Sequence, residues 1–308
     1  MTEKHEPDPR FVEGLAGELG RELRRQNRAF GRAGRGLRAL KTTGLIMASV
    51  AVGAVAMGAT QQIGDSWRKE LVEARLEVQL RLAREVVQTQ QESWGLVRSQ
   101  VERGVRESGE IAYADYQIAE AEAQVRIAEL ELEESRLTGR EPQDALSSPL
   151  VDGRDFVSDR IRARMEVARR HLELARQVGE RARQRAAVGI VQESESEEQQ
   201  LVAREAELEL ASLTRELELR RDWLGARISP VEAELRLLEA QAGNRVAALE
   251  LRVRYLRGHL QRFQAAIGAG TMRPAVAVEL QTQVAEAEAK LELAQAELRI
   301  VREELARR

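Results

Sequence analysis

The sequence predicts an all-α protein: one transmembrane helix followed by three long antiparallel αα-hairpins of coiled-coil type. Three observations carry that expectation. Ala, Leu, Glu and Arg dominate the 308 residues, of which only 3% are aromatic and six are proline. That is the composition of long helices rather than of ordinary globules. Apolar residues recur at alternating steps of three and four, which puts them on one stripe of a helix. One uncharged stretch, Thr42 to Gly64, stands apart near the N-terminus.

Residues 1–41 read as a cytoplasmic Arg-rich segment. Asp8-Pro9 places a cap ahead of a proline at the first helical position. Phe11, Val12, Leu15, Leu19 and Leu23 then share one face of a short amphipathic helix. Its plain reading is a helix resting on lipid headgroups beside the Arg-rich stretch. A sharper one is a docking helix for a cytosolic regulator.

Residues 42–64 form the expected transmembrane anchor. At ~1.5 Å per residue the uncharged run spans ~34 Å, enough for a hydrocarbon core of ~30 Å. Leu45, Ile46, Met47, Val50, Val52, Val55 and Met57 supply its apolar surface, and Trp67 would sit at the outer interface. Before the span, residues 21–41 hold eight Arg or Lys and one Glu; after it, Arg68 and Lys69 are balanced by Asp65, Glu70 and Glu73. This asymmetry predicts a single-pass protein of the inner (cytoplasmic) membrane, with its N-terminus cytoplasmic and residues 65–308 periplasmic or extracytoplasmic. A cleaved signal peptide is the competing reading, because Ala54-Val55-Ala56 is a small-x-small cleavage site.

The rest divides into helical hairpin 1 (65–138), a loop (139–156), helical hairpin 2 (157–226) and helical hairpin 3 (227–308). Six helices are expected, at roughly 66–103, 110–137, 157–186, 192–225, 230–267 and 274–307. The first seam after a turn is Ile111, Ala114, Ile118, Ala121, Val125, Ala128 and Leu132. Hairpin 2 opens with Ile161, Met165, Ala168, Leu172, Ala175, Gly179, Ala182 and Ala186. Hairpin 3 opens with a seam that includes Val231, Leu235, Leu238 and Ala242, and closes with Leu280, Val284, Ala287, Leu291, Ala294 and Leu298. Ser229-Pro230-Val231-Glu232 starts a helix with a cap, a first-position proline and an acidic third residue. Trp223-Leu224-Gly225 ends the helix before it. The loop, "TGREPQDALSSPLVDGRDFV" (138–157), is rich in turn formers.

The turn regions resemble one another. "ERGVRESGEIAYADYQIAEAEAQVRIA" (102–128), "RAAVGIVQESESEEQQLVAREAELELA" (185–211) and "GAGTMRPAVAVELQTQVAEAEAKLELA" (268–294) align without gaps at 83-residue spacing, while the arms before the turns match less well and need a shift of about two residues. Ile118, Leu201 and Val284 correspond, as do Val125, Leu208 and Leu291, and Ala128, Ala211 and Ala294. Such an internal repeat implies a duplicated supersecondary unit.

"LELARQVGERARQRAAVGIVQESESEEQQLVAREAELELA" (172–211) resembles the periplasmic helices of the TolC-like outer-membrane efflux proteins, and 268–298 matches more loosely. The resemblance implies that Val188, Gly189, Ile190 and Val191, with Gly270 and Thr271 as third-turn counterparts, are tip residues that meet a partner protein. It covers about half the chain and stops there. The family inserts pairs of membrane strands between its helices, and no alternating stretch here could build a barrel.

No catalytic, cofactor or metal constellation is expected. His5, His171 and His259 are too far apart in sequence to share a helical turn, and His171 reads as a solvated surface residue. No phosphate-binding, dinucleotide-binding or metalloprotease motif is present. The 48 basic and 51 acidic residues are interspersed, which speaks against nucleic acid as a partner. The absence of cysteine excludes disulfides and thiolate metal sites. The expected protein is therefore a non-enzymatic, membrane-anchored scaffold or interaction module. Its partners would be membrane lipid through one span and proteins at the hairpin turns, with homo-oligomerisation left open. Two alternatives remain: an envelope-signalling (anti-sigma-like) regulator with a cytosolic docking helix, and an exported efflux component.

Overall fold

The computed structural model describes residues 65–104, 109–190, 193–270 and 274–308. The expected N-terminal helix and the expected span, including Leu45, Ile46, Met47, Val50, Val52, Val55 and Met57, lie outside the described residues. Among those described, no helix is long and apolar enough to cross a membrane.

Six helices and no strands are found among the described residues. They are α1 (Asp65–Glu102), α2 (Gly109–Thr138), α3 (Phe156–Ala187), α4 (Glu193–Leu224), α5 (Pro230–Gly268) and α6 (Pro274–Ala306). Every end falls within one residue of its expected position. The caps explain part of that accuracy. Asp155 accepts a hydrogen bond from the Ser158 amide at 3.1 Å, and Ser229 accepts one from the Glu232 amide at 3.2 Å ahead of Pro230.

Each helix packs only against its neighbours in sequence: α1 on α2, α2 on α3, α3 on α4, α4 on α5, α5 on α6. The helices therefore form one open layer, running up and down in turn, with α1 and α6 as its edges. The three short turns after α1, α3 and α5 emerge at one end, the tip end. The start of α1, the 139–155 loop, the 225–229 turn and the end of α6 share the other, the base. Ser147 of the loop accordingly reaches Glu234 in α5, with its amide 3.3 Å from Oε1.

The layer is held by thin seams. Val72, Leu76 and Leu80 pack on Ala128 and Leu132, Leu172 and Ala175 on Ala206, and Val253 and Leu256 on Val284 and Ala287. Burying each larger side chain contributes roughly 1.5–3 kcal/mol, and the Ala layers let helices approach. A Cβ built on Gly179 would lie 3.6 Å from the carbonyl oxygen of Gln199, so nothing larger than Ala fits between α3 and α4 there. Exposed Arg–Glu pairs flank the seams, including Arg84–Glu129 and Arg245–Glu297, both at 2.7 Å. Each is worth at most about 1 kcal/mol.

The structure corrects the register of the repeat. Gly104, Gly189 and Gly270 all adopt positive φ just past the end of a helix; they lie 85 and then 81 residues apart, not 83 and 83. In that register the seams coincide. Leu76, Ile161 and Ala242 are buried at one level, Ala121, Ala206 and Ala287 at another, and Leu132, Leu217 and Leu298 at a third. Ala211, expected in the seam of hairpin 2, is instead exposed. Two residues turn a helix by about 200°, so the slip exchanges one face for the other. The arms before the turns show the two-residue shift in sequence, but after the second turn it is hidden because α4 is an inner helix, apolar on both faces.

A second correction concerns the start of α5. Val231 and Leu238 are about half exposed, whereas Ala233 is fully buried and Leu237 packs against a cluster of Leu146, Val157, Ile161, Met165, Leu217 and Leu219. Near the base, α5 turns its apolar side away from α6 and towards the loop.

Candidate interaction surface at the hairpin tips

The tip of hairpin 2 is built by the end of α3. Val188 is the last half-helical residue, and Gly189 follows with φ of 74°. The Gly189 amide donates to the Ala186 carbonyl at 3.0 Å and the Ile190 amide to the Arg185 carbonyl at 2.9 Å. This double closure satisfies carbonyls that the helix end would otherwise leave open, and its left-handed backbone favours a residue without a Cβ at position 189. The first of these two bonds recurs after α1, where the Gly104 amide meets the Val101 carbonyl at 2.9 Å. It recurs again after α5, where the Gly270 amide meets the Ile267 carbonyl at 2.9 Å. A positive-φ glycine bonded back onto its helix thus follows α1, α3 and α5 alike.

What the turns present differs. Val188 and Ile190 are 70% and 71% exposed, among the most exposed large apolar side chains of the described residues. They flank Gly189 and point into solvent, where no seam uses them. Val191 and Thr271 lie outside the described residues. Trp67, expected at a membrane interface, sits in the first turn of α1 at the base, with 48% of its surface exposed. Val188, Gly189, Ile190 and Gly270 lie at one end of the layer, and Trp67 lies at the other.

A second constellation went unrecognised in the sequence. Arg220 of α4 is fully buried at the base. Its Nη1 donates to the carbonyls of Leu146, at 2.6 Å, and Ser148, while Nε and Nη2 donate to Asp155 Oδ1 at 3.1 and 2.8 Å. Its guanidinium also lies 4.7 Å from the ring centre of Trp223. Arg160 of α3, 2% exposed, pairs with Glu134 of α2 and lies 2.9 Å from Asp144. Glu134 in turn accepts from the Gln143 amide at 3.1 Å. The 139–155 loop is thus a clamp that ties α2, α3, α4 and α5. Burial opposes ionisation of Asp155, but hydrogen bonds from Arg220 and Ser158 outweigh it and hold its carboxyl below the usual range. In a chain so rich in Arg, the only signal was position: Arg160 and Arg220 lie beside seam residues Ile161 and Leu217, where a charge is unexpected.

His171 is also not the solvated residue expected. It stacks on Tyr116 of α2 with ring centres 5.2 Å apart, and its Nδ1 lies 3.4 Å from Glu209 Oε2 of α4. Glu120 joins this three-helix junction, where burial raises its carboxyl above the usual range, helped by Glu209 and opposed by His171.

No protein-family model, curated protein or solved structure matches this chain. The likeness to TolC-like helices therefore rests on the quoted residues alone.

Proposed function

We propose that this protein is a non-enzymatic, membrane-anchored scaffold whose hairpin tips grip partner proteins on the extracytoplasmic side. The observation that supports the reading is the grouping, at one end of the layer, of three helix ends that each finish on a positive-φ glycine, with Val188 and Ile190 exposed beside Gly189. Exposed apolar side chains on a rigid, well-closed turn are suited to insertion into a partner's groove, because little conformational freedom is lost on binding. The chain enters α1 at the opposite end. The tips thus lie about 45–55 Å of helix from the residue at which α1 begins. The likeness of residues 172–211 to periplasmic efflux helices agrees with this arrangement.

The test replaces residues 188–191 and 270–273 by Gly/Ser. Loss of the partner contact, read by photo-crosslinking from position 190 in cells and by the deletion phenotype, is the expected result. Full retention of both would refute the tip reading. The intact mass of the membrane-extracted chain tests the anchor separately: a full-length mass is expected, and loss of about the first 56 residues would mean a cleaved signal.

A further inference from the structure

Inside the layer, hairpins are joined by the second helix of one against the first helix of the next: α2 on α3 and α4 on α5. At the first joint Tyr116 stacks on His171. At the second, Glu197 pairs with Arg262, and Leu219 belongs to the cluster on which Leu237 packs. The register of the three turn glycines carries these positions onto the two edges. On α6, Val278 takes the place of Glu197, and Ile300 that of Leu219. On α1, Leu71 takes the place of Leu237, Val86 that of His171, and Leu96 that of Arg262.

All five edge residues are large, apolar and exposed: Val278 61%, Ile300 65%, Leu71 57%, Val86 48% and Leu96 69%. The outer face of a terminal repeat ordinarily turns polar, because it meets water instead of a neighbour. At three of these five positions the joint carries a charged or imidazole side chain, Glu197, His171 or Arg262, and the edge carries an apolar one. Two of the pairs that the register sets opposite each other match in character: where Glu197 meets Arg262 inside the layer, Val278 would meet Leu96, and where Leu219 and Leu237 share a cluster, Ile300 would meet Leu71.

We infer that the protein associates head to tail with copies of itself, α6 of one copy packing on α1 of the next in the antiparallel register that joins its own hairpins. Such a contact is heterologous: the two surfaces differ, and each copy offers both. It keeps every copy's tips at the same end. It uses the edges of the layer and is independent of what the tips contact.

The chain has no cysteine, so thiols can be introduced one at a time at exposed positions where folding does not depend on them. Full-length Leu96→Cys and Val278→Cys proteins, in mild detergent, would be treated with a short bis-maleimide separately and mixed. The mixture should give a covalent dimer while each alone stays a single chain, and one chain carrying both should give a ladder. Cross-linking of Val278→Cys alone as efficiently as the mixture would mean a face-to-face dimer and overturn the proposal. So would equal cross-linking of Leu96→Cys with Leu150→Cys, a residue exposed at the base. A single-chain mass for the unmodified protein at micromolar concentration, with no cross-link in the mixture, would overturn it as well. Leu71→Glu combined with Ile300→Glu should reduce the sedimenting mass to that of one chain.

Discussion

The two ends of the helical layer solve the same problem, reversing the chain, in opposite ways. At the tips, three turns are closed by backbone hydrogen bonds and a positive-φ glycine, and the side chains of Val188 and Ile190 face water. At the base, the 139–155 segment is drawn into the layer by buried Arg160 and Arg220, and its Leu146 joins an apolar cluster with three helices. The base invests in internal contacts, and the tips leave their contacts open. A thin-seamed layer needs one well-tied end to keep its helices in register, and that frees the other end to carry exposed side chains.

Breaking the base should therefore have the largest effect. Arg220→Leu removes a fully buried cation and leaves Asp155 and the carbonyls of Leu146 and Ser148 without their donor. Removing one partner of a buried pair typically costs about 3–5 kcal/mol. Chemical denaturation should show that loss. A change below 1 kcal/mol would mean that the clamp is dispensable.

Acid sharpens the comparison between the base and the middle of the layer. Because the Asp155 carboxyl is held below its usual range, its stabilisation is present above the unfolded pKa of about 3.9 and is lost as pH falls through the lower folded value. Glu120 at the Tyr116–His171 junction behaves oppositely: its raised pKa gives a contribution present below the unfolded value of about 4.3 and lost as pH rises through the folded one. Asp155→Asn should flatten the acid side of the stability profile, and Glu120→Gln should flatten the side above it. Identical profiles for both variants and the parent would remove electrostatics from the account.

The turns themselves should differ by about 1 kcal/mol in opposite directions. Gly189→Ala places a Cβ at φ of 74° and should destabilise by about 1 kcal/mol. At the base the left-handed residue is Ala226, φ 54°, with its amide on the Trp223 carbonyl at 2.9 Å. Ala226→Gly should stabilise by up to about 1 kcal/mol, less the entropy it adds to the unfolded chain. Thermal melts of the two variants check both signs.

The Ala226 turn also marks the limit of what the sequence disclosed. Helix number and ends were legible because caps, Pro230 and the three-four spacing are local signals. Gly225 was read as the terminator, yet the special backbone angle falls one residue later, since tertiary packing and not composition decides which residue takes it. The repeat was legible but its register after the second turn was not, because Leu201 and Leu208 on one face of α4 look like Val202, Ala206 and Leu210 on the other. The tip residues were assigned through the resemblance of residues 172–211 to efflux helices, and Val188, Gly189, Ile190 and Gly270 do lie at helix ends. The clamp was missed, because Arg160 and Arg220 are two among many arginines and burial alone distinguishes them.

The smallest effect on stability should come from the residues most central to the proposed function. Val188→Ser with Ile190→Ser removes two side chains that are 70% and 71% exposed and contribute to no seam. Surface changes of this kind usually stay within about 0.5 kcal/mol, and less exposed apolar surface should, if anything, improve solubility. The double variant should therefore melt with the parent while its tip contact is lost. A matched pair, Leu137→Ser with Leu150→Ser, alters exposed apolar residues near and within the base loop. It should melt with the parent and keep the contact. If both pairs lose it equally, exposed apolar surface in general and not the tips is what partners recognise, and the division of labour between the two ends fails.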